Sequence, residues 1–591
     1  MSFIPLFLAT LITPWGANVD NSHVPLNDYP RPQFQRNEWI NLNGSWDYTI
    51  KAAADEAVPT AYEGKILVPF AVESHLSGVE RAVGPSHQVW YKRTFEAPDL
   101  KGGKRLIVHF GAVDWQAKVY LNGKALRLHQ GGYDAFSIDI TNIIKADQMQ
   151  ELVVSAWNPV DEGSQPRGKQ QLKPSGIMYT AVTGIWQTVW LEVVPQVYIS
   201  ELIPTADFDE QKVSMNLSVQ GPSGIKSTTH IQVSEHGKVV AETDYTSEGR
   251  GTTNLDLSLP ALHPWSPTDP FLYDVKATLV AGSETDTVTT YFGVRKIEVR
   301  KAVDGYDRIF LNNHPLFLIG PLDQGWWPDG LYTAPTDEAL RWDVVTMRNL
   351  GFNVVRKHVK VEPARWYYHC DQVGILVFQD FPSGFRAGDP SERIGKDDVS
   401  EGIFFQKQDA QFRRELNTMI SQHTFFPSIV TWVPFNEGWG QHDTNNIINW
   451  VKRLDHSRLV DGPSGWNDLG MGDLLDKHQY PGPGTLVAQP GRASILGEFG
   501  GLGLPVTGHL WQEKKNWGYR NMKSEEDLAE HYAALIKQIP DLVKKGLNAA
   551  IYTQITDVET EVNGLITYDR KVIKVPVDKV SALNHSLTDT K

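Results

Sequence analysis

The sequence predicts a multidomain chain in which two β-sandwiches precede a C-terminal TIM barrel. Its 591 residues exceed what one hydrophobic core supports. Short strands separated by turns dominate up to about residue 298, and apolar strands alternate with amphipathic helices from about residue 299 onward. We therefore divide the chain into residues 1–30 as an N-terminal arm or remnant signal segment, 31–196 and 197–298 as β-sandwiches, and 299–591 as the barrel.

The first sandwich is predicted from alternating apolar and polar residues with almost no helical periodicity. Its candidate strands are 44–50, 89–95, 106–110, 117–121, 151–157 and 187–193. Asn122-Gly123 is a strong signal for a two-residue hairpin turn. The strands continue at 214–219, 229–233 and 273–280, in a segment of about the size of an immunoglobulin-like sandwich.

The barrel is predicted from eight strand candidates, with helical stretches between several of them. These strands are 316–320, 353–356, 376–379, 429–433, 459–462, 475–478, 494–496 and 549–553. A helix over 337–350 follows Thr336 as N-cap, and a helix over 525–545 follows Ser524. Eight units in this length fit a TIM barrel of about 250 residues. A doubly wound sheet is the alternative, but no glycine-rich phosphate fingerprint follows a strand.

Composition limits the partners that the protein could have. The net charge is −14 and no cluster of Lys or Arg stands out, which argues against nucleic acid or an anionic membrane. The single cysteine, Cys370, lies in a predicted helix (364–372) and excludes an internal disulfide and any multi-cysteine metal site. Nineteen Trp and 20 Tyr suit stacking on sugar rings. Whether identical chains assemble is left open.

The first residues, M-S-F-I-P-L-F-L-A-T-L-I, resemble the apolar part of a signal peptide, but no Lys or Arg precedes Arg31. We expect either a truncated signal or a packed arm. A periplasmic or secreted location is therefore expected, and a cytoplasmic one stays open. No later run is long and apolar enough to span a membrane.

The C-terminal ends of barrel strands converge on one face, where catalytic residues of TIM barrels lie. In this chain, that rule selects Arg356, His358, Asp380, Asn436, Glu437, His478, Tyr480, Glu498 and Gln554. Glu437 lies in T-W-V-P-F-N-E-G-W-G-Q-H (431–442), beside Trp439, and alone would more often be structural. Glu498 follows the opposed seventh strand. Two carboxyls facing one cleft are the minimum equipment for hydrolysis of a glycosidic bond.

Several motifs resemble glycoside hydrolase family 2, which includes β-galactosidases, β-glucuronidases and β-mannosidases. L-N-G-S-W (42–46), V-W-Y-K-R (89–93) and T-G-I-W-Q-T-V-W-L-E (183–192) resemble its jelly-roll sugar-binding domain. W-S-P-T-D-P-F-L-Y (265–273) and F-G-V-R-K (292–296) resemble its immunoglobulin-like domain. G-F-N-V-V-R (351–356), F-N-E (435–437) and G-E-F-G (497–500) resemble barrel signatures. Their common order over three domains makes the resemblance specific.

The resemblance implies a retaining, exo-acting β-glycosidase that needs no cofactor and acts on a carbohydrate. It implies Glu437 as the acid/base, Glu498 as the nucleophile and Asn436 as the contact to the sugar 2-hydroxyl. Tyr480 and Arg356 would support the nucleophile. His358, His478, Asp380, Trp439 and Gln554 are further candidates for substrate contacts.

Several departures from the family pattern affect which sugar specificity the resemblance predicts. The Asn-x-Lys motif of family β-glucuronidases is E-V-N-G here (561–564), and Glu561 would repel a uronate. A β-galactosidase-like specificity therefore ranks first, and β-glucuronidase, arabinoside, galactofuranoside or mannoside specificities are alternatives. However, the aspartate of long β-galactosidases and its sodium site have no match before Thr183-Gly184-Ile185. Where the family has an Arg-x-x-His pattern after the second barrel strand, this chain has Arg356-Lys357-His358. Where the family has Trp-Asp-Glu after the third strand, this chain has Phe378-Gln379-Asp380.

Three segments are predicted to form the rim of the pocket: 381–402, 511–520 and the basic run P-R-G-K-Q (166–170). A non-catalytic carbohydrate-binding protein is the rival class, but a binder needs neither Glu437 nor Glu498. A metal-dependent hydrolase is a third alternative, with His358, His369, His478 and Asp380 as ligands. No two of these histidines have a compact ligand spacing on one helix.

Overall fold

The computed structural model describes residues 11–20, 22–259, 261–384, 406–484 and 488–588. It contains two β-sandwiches followed by an eight-stranded parallel barrel, which confirms the predicted fold class. Five short 3-10 turns are Gly16–Asn18, His75–Ser77, Lys101–Gly103, Thr141–Ile143 and Val160–Glu162.

The first sandwich is built from two antiparallel sheets whose inner faces share one core. In spatial order, the larger sheet contains Gly64–Val68, Gly44–Ala52, His87–Glu96, Met149–Trp157, Gln116–Leu121 and Lys124–Gln130. The smaller sheet contains Trp39–Asn41, Val189–Val194, Arg105–Phe110 and Phe136–Asp139. Val113–Asp114 pairs with Gly184–Ile185, and Gln170–Gln171 pairs with Tyr179–Thr180. Asn122 and Gly123 form the predicted two-residue turn, both with positive φ.

The second sandwich has a three-stranded and a four-stranded sheet around a separate core. Its strands are Tyr198–Asp207, Lys212–Gln220 and Gly251–Ser258, then Lys238–Glu248, Lys226–Glu235, Tyr273–Ala281 and Glu284–Phe292. A small sheet of Ile297–Lys301, Asp307–Leu311 and His314–Pro315 follows, and its Ile309 and Leu311 belong to the apolar core of the barrel interior.

The barrel strands are β1 (Leu318–Asp323), β2 (Val354–Lys357), β3 (Leu376–Asp380), β4 (Ile429–Val433), β5 (Leu459–Val460), β6 (Leu474–Gln479), β7 (Ala493–Gly500) and β8 (Leu547–Thr553). They pair in the order β5-β4-β3-β2-β1-β8-β7-β6. A single parallel bridge between Asp461 and Leu474 joins the two outer strands and closes the ring. β4 and β8 are buried along their whole length and appear in the sequence as largely apolar runs.

The helices are α1 (Asp337–Asn349), α2 (Ala364–Val373), α3 (Gln406–His423), α4 (Thr444–Leu454), α5 (Glu525–Ile536), α6 (Ile539–Val543) and α7 (Val577–Thr588). Thr336 and Ser524 cap α1 and α5 as predicted, each accepting a backbone N–H with its side chain. The prediction of one helix over 525–545 is wrong, because Pro540 lacks the amide hydrogen that a continuous helix requires. Leu502–Gly503 also pairs with Arg520–Asn521.

Residues 11–18 of the N-terminal segment pack against the barrel. Thr13 donates from its backbone amide and its hydroxyl to Asp329 Oδ2, at 2.9 and 2.6 Å. Trp15 makes edge contacts with Trp327 and Trp342. Residues 1–10, in which the signal-like run begins, lie outside the described part of the chain. Among the described helices, none has the length and apolarity needed to cross a membrane.

A buried arginine joins the two sandwiches. Arg36 donates to both oxygens of Asp286 at 3.0 Å and to Glu192 Oε2 at 3.0 Å. Glu192 lies in the first sandwich and Asp286 in the second, and all three side chains are buried. Removing one partner of a buried pair leaves an uncompensated charge, so this contact fixes how the sandwiches dock.

We predict that Arg36→Met lowers the stability of the folded chain by about 3–5 kcal/mol, because Asp286 and Glu192 lose a buried partner. Arg105→Met is the matched control, since Arg105 pairs with Asp139 at a partly exposed site; its expected cost is at most about 1 kcal/mol. Urea unfolding of both variants measures the difference. Equal midpoint shifts would contradict a structural role for Arg36.

Candidate active site

Glu437 lies in a strained turn directly after β4. Its backbone is left-handed (φ 51°), a conformation that costs energy in a non-glycine residue and clusters at functional sites. The turn continues through Gly438 and Gly440, both with positive φ. A Cβ at Gly440 would lie 1.7 Å from the carbonyl oxygen of Gly384, so only glycine fits there. The G-W-G sequence thus lets the chain reverse while Glu437 stays at the barrel mouth.

Glu498 lies within β7, whose residues are all buried. Tyr480 donates from its hydroxyl to Glu498 Oε2 at 2.5 Å, and Arg356 Nη1 donates to Oε1 at 3.2 Å. Tyr480 is in turn stacked on Tyr519, with ring centroids 3.7 Å apart. A carboxylate that accepts charge-assisted hydrogen bonds at both oxygens is held in one orientation.

The two glutamates face each other across the pocket. One carboxylate oxygen of each and one ring nitrogen of His478 all lie within 4.8 Å of one another. His478 Nδ1 donates to Glu437 Oε1 at 2.9 Å and lies 3.5 Å from Glu498 Oε1. The structure therefore brings together the pair that the sequence placed on opposed strands.

Arg356, at the end of β2, connects the site residues behind the pocket wall. Its guanidinium donates to both oxygens of Asp380 at 3.0 Å and to Asn436 Oδ1 at 2.8 Å, in addition to Glu498. Because Asn436 accepts through its oxygen, its amide nitrogen is directed away from Arg356. The predicted residues Arg356, Asp380 and Asn436 thus belong to one network with the nucleophile candidate.

His478 is held as a cation by the carboxylates around it. Burial alone would lower its pKa, but Glu498, Asp476 and Glu437 outweigh burial and raise the pKa of His478 to about 10. Nε2 lies 2.8 Å from Ser464 Oγ and 3.6 Å from Asp476 Oδ2. An imidazolium between Glu437 and Glu498 reduces the repulsion that two carboxylates at this distance would otherwise have.

His358, unlike His478, is an uncharged histidine. Burial and the nearby Lys169 ammonium lower the pKa of His358 well below its usual range, so the ring is neutral. Its Nδ1 lies 2.9 Å from Asp380 Oδ2, which identifies Nδ1 as the donor and leaves Nε2 as an acceptor. His358 also lines the pocket, where an acceptor nitrogen suits a sugar hydroxyl.

The pocket at the barrel mouth combines residues of the barrel with residues of the first sandwich. It is lined by Lys169, Ile177, Leu322, Gln324, His358, Asn436, Glu437, Trp439, Tyr480, Glu498, Tyr519, Thr553 and Glu561. Lys169 and Tyr519 belong to two of the predicted rim segments, and most of the third (385–402) lies outside the described residues. Gln324 is new, although its position just after β1 could have identified it.

The predicted substrate contacts Arg356, Asp380 and His478 do not line the pocket; they lie behind it, in the hydrogen-bond network that holds Glu437 and Glu498. Two further candidates lie outside both the pocket and this network. Gln554 does not line the pocket, because its buried amide is turned to Asn563 Oδ1, 2.7 Å away. His369 lies on α2 and pairs with Asp337 at 3.0 Å, so the proposed metal ligands do not converge. The only described cluster with metal-ligand geometry is Glu437, His478 and Glu498. Protein donors already engage these carboxylates, since Arg356 Nη1 donates to Glu498 Oε1 and His478 Nδ1 donates to Glu437 Oε1.

Comparison with protein families gives three matches in the order of the domains. Residues 64–184 match the glycosyl hydrolase 2 galactose-binding domain-like family, and 197–295 match glycosyl hydrolases family 2. Residues 305–475 match the family 2 TIM barrel domain, which includes Glu437 but ends before Glu498. The chain belongs to glycosyl hydrolase family 2.

This family 2 chain is similar to two relatives with different names. A β-galactosidase of Thermoanaerobacter pseudethanolicus is 27% identical over 391 residues, which cover 63% of this chain and 48% of that protein. A putative β-glucuronidase of Formosa agariphila is 26% identical over 455 residues, covering 74% and 40%. The chain thus spans about half the length of these relatives.

Solved structures of similar fold cover almost the whole chain. A β-D-glucuronidase of Dictyoglomus thermophilum superposes with a TM-score of 0.72 at 18% identity, covering 95% of this chain and 99% of that one. A family 2 β-galacturonidase of Eisenbergiella tayi bound to galacturonate gives 0.70 at 18% identity, covering 96% and 100%. At this identity, the likeness establishes the shared fold.

We predict that His478 makes stability depend on pH above neutrality. Its folded pKa of about 10 exceeds its ordinary value, so its contribution is complete below about pH 6.5 and is lost as pH rises through about 10. The melting temperature of the wild type should therefore fall more steeply between these pH values than that of His478→Asn.

His423→Asn is the matched control for this experiment. His423 is also buried, but burial lowers its pKa to about 4, so its effect lies below pH 6.5. The control variant should keep the wild-type slope above pH 6.5. A His478→Asn profile parallel to the wild type would show that His478 is not held as a cation.

Proposed function

We propose that this chain is a retaining, exo-acting β-glycosidase, with Glu498 as the nucleophile and Glu437 as the acid/base. The observation that carries the proposal is the approach of the two carboxylates within 4.8 Å across the pocket. Retaining glycosidases hold this pair about 5–5.5 Å apart, whereas inverting ones leave about 6.5–9.5 Å for a water molecule. The observed separation fits direct attack on the sugar.

In this mechanism, Glu437 starts protonated and Glu498 ionised. Glu498 forms a bond to the anomeric carbon as the glycosidic bond breaks, and Glu437 gives its proton to the departing oxygen. Water then attacks the anomeric carbon and gives a proton to Glu437, while the bond between Glu498 and the sugar breaks to release the product. Arg356 and Tyr480 hold Glu498 with one hydrogen bond on each oxygen. Ordering the nucleophile in this way removes the need to reorganise it during the reaction.

Asn436 and His358 are proposed to position the sugar. The Asn436 oxygen is engaged by Arg356, so its amide nitrogen is available to a hydroxyl such as the 2-hydroxyl. His358 offers an acceptor nitrogen on the same lining. Contacts to the 2-hydroxyl strengthen as the oxocarbenium-like transition state forms. Trp439 and Tyr519 also line the pocket, and aromatic side chains suit contact with the apolar side of a sugar ring.

The substrate is proposed to be a terminal β-linked sugar of a carbohydrate, and a β-galactoside is the first candidate. Relatives named as β-galactosidases support it. β-Glucuronides are the second candidate, supported by the relative and the solved structure that carry that name. Para-nitrophenyl galactoside, glucuronide, mannoside, arabinoside and galactofuranoside distinguish these. A periplasmic or secreted location stays a prediction.

We predict that Glu498→Ala abolishes turnover and that added azide restores it, because a small anion fills the space of the lost carboxylate.

Glu437→Ala should lower kcat/KM by about 10²–10⁴ for an alkyl glycoside and much less for a dinitrophenyl glycoside, whose leaving group needs little protonation. Asp47→Ala, at a partly exposed site in the first sandwich, is the control. Full activity in either glutamate variant would contradict the role assigned to that residue, whereas a wild type that cleaves none of the glycosides would support a sugar-binding protein instead.

We also predict that the first product released is the β-anomer, because two displacements restore the starting configuration. Proton NMR of the hydrolysis of an aryl β-glycoside at early times measures this directly. An initial α-anomer would mean an inverting mechanism and would contradict the assignment of Glu498.

A further inference from the structure

A segment of the first sandwich enters the mouth of the barrel. We call residues 165–182 the crossing loop. Arg167 and Gly168 donate from their backbone amides to the Ser383 carbonyl, and Thr180 donates to Glu559 Oε1 at 2.7 Å. A Cβ at Gly168 would lie 2.4 Å from the Val359 carbonyl oxygen, so the loop lies directly against the barrel.

The crossing loop places Lys169 in the proposed sugar pocket. Lys169 is 5% exposed and lines the pocket together with Glu437, Glu498 and Glu561. Within the described chain, its ammonium makes no hydrogen bond or ion pair, and its nearest ring contact is Tyr179 at 5.5 Å. Burial lowers the pKa of Lys169, and the three carboxylates partly restore it. A buried ammonium that faces a pocket and has no acceptor among the described residues is suited to a ligand oxygen.

Glu561 lies on the same lining with unused acceptor capacity. Its Oε2 accepts from the Tyr179 hydroxyl at 2.5 Å and its Oε1 accepts from Asn563 Nδ2 at 2.9 Å. A carboxylate offers about four acceptor positions, so about two remain. Burial raises the pKa of Glu561, and the nearby Lys169 ammonium opposes this rise by favouring the ionised carboxylate. No ion pair within 4.0 Å joins the two among the described side chains.

The Lys169 ammonium only donates hydrogen bonds and the Glu561 carboxylate only accepts them, so a ligand group that both accepts and donates hydrogen bonds can bridge the two. A sugar hydroxyl can accept from the Lys169 ammonium and donate to the Glu561 carboxylate at the same time. A sugar carboxylate can accept from Lys169 but would face the charge of Glu561. Gln324 lines the same pocket, and neither its amide oxygen nor its nitrogen has a partner in the described structure. An amide likewise matches hydroxyls, through one donor group and one acceptor.

We propose that Lys169 and Glu561 together determine glycone specificity, selecting a neutral sugar through a bridging hydroxyl and rejecting uronic acids. This inference rests on the proposed glycosidase function. It places one specificity residue in the first sandwich and the other in the barrel. The expected substrate class is a neutral β-hexopyranoside.

The test compares two substrate pairs that differ only at C6: aryl β-galactoside with β-galacturonide, and aryl β-glucoside with β-glucuronide. In whichever pair is cleaved faster, the wild type should have a higher kcat/KM for the neutral sugar than for the uronide. Lys169→Met should lower kcat/KM for that sugar by about 10- to 100-fold, the usual effect of losing a hydrogen bond to a charged group. Glu561→Gln should shift the ratio toward the uronide by about tenfold or more, because a like charge is removed.

Lys173→Met is the matched control, since Lys173 lies on the same loop, is exposed and does not line the pocket. It should leave both substrate ratios unchanged. Melting temperatures of all variants verify that they fold. The unchanged β-anomer product verifies that the chemistry is intact in Lys169→Met.

The outcomes separate this inference from the proposed function. A wild type that prefers either uronide, or a Glu561→Gln variant with an unchanged ratio, overturns the selection of neutral sugars while leaving the glycosidase assignment in place. A normal kcat/KM in Lys169→Met does the same. If the wild type cleaves none of the four substrates, both the proposed glycosidase function and the proposed specificity are overturned for hexopyranosides.

Discussion

The buried guanidinium of Arg356 is the interaction on which the site depends. It joins the end of β2 to Asp380 on β3, to Asn436 after β4 and to Glu498 on β7. Burying an arginine is costly unless its donors are paired, and here they meet carboxylate, amide and backbone oxygens. With His478, Arg356 supplies the positive charge that lets Glu437 and Glu498 lie close together. The position of both glutamates therefore follows from charge balance as much as from apolar packing.

The pocket is a joint product of two domains. The barrel provides the opposed glutamates, while the crossing loop provides Lys169 and the Tyr179 hydroxyl that binds Glu561. Buried aromatic rings support this junction, since Tyr179 packs edge-on against Trp326 at 5.0 Å. The Arg36 contact fixes the two sandwiches to each other in the same way. Rigid docking is required, because a loop that moved freely would not hold a lysine at a defined distance from a sugar.

The sequence was sufficient to predict the fold class and the meeting of Glu437 with Glu498, because parallel strands of a barrel bring their ends to one face. The same rule placed Arg356, His358 and Tyr480. It failed for Gln554, whose backbone is at a strand end but whose amide is turned to Asn563. It says nothing about Lys169, because strand order does not determine how a loop of another domain folds back; the basic run 166–170 was predicted at the pocket rim from its composition, without a position for this side chain. The break near Pro540 was readable from the sequence, since proline interrupts a helix interior.

The hydrogen bond between Tyr179 and Glu561 joins residues that are 382 positions apart. The first sandwich is synthesised long before β8, so its loop cannot meet its partner until nearly the whole chain has emerged. Contacts of such long sequence separation form slowly, because the chain must first lose the entropy of closing the intervening segment. The proposed substrate pocket can therefore be completed only after residue 561 has been synthesised and has docked against the first sandwich.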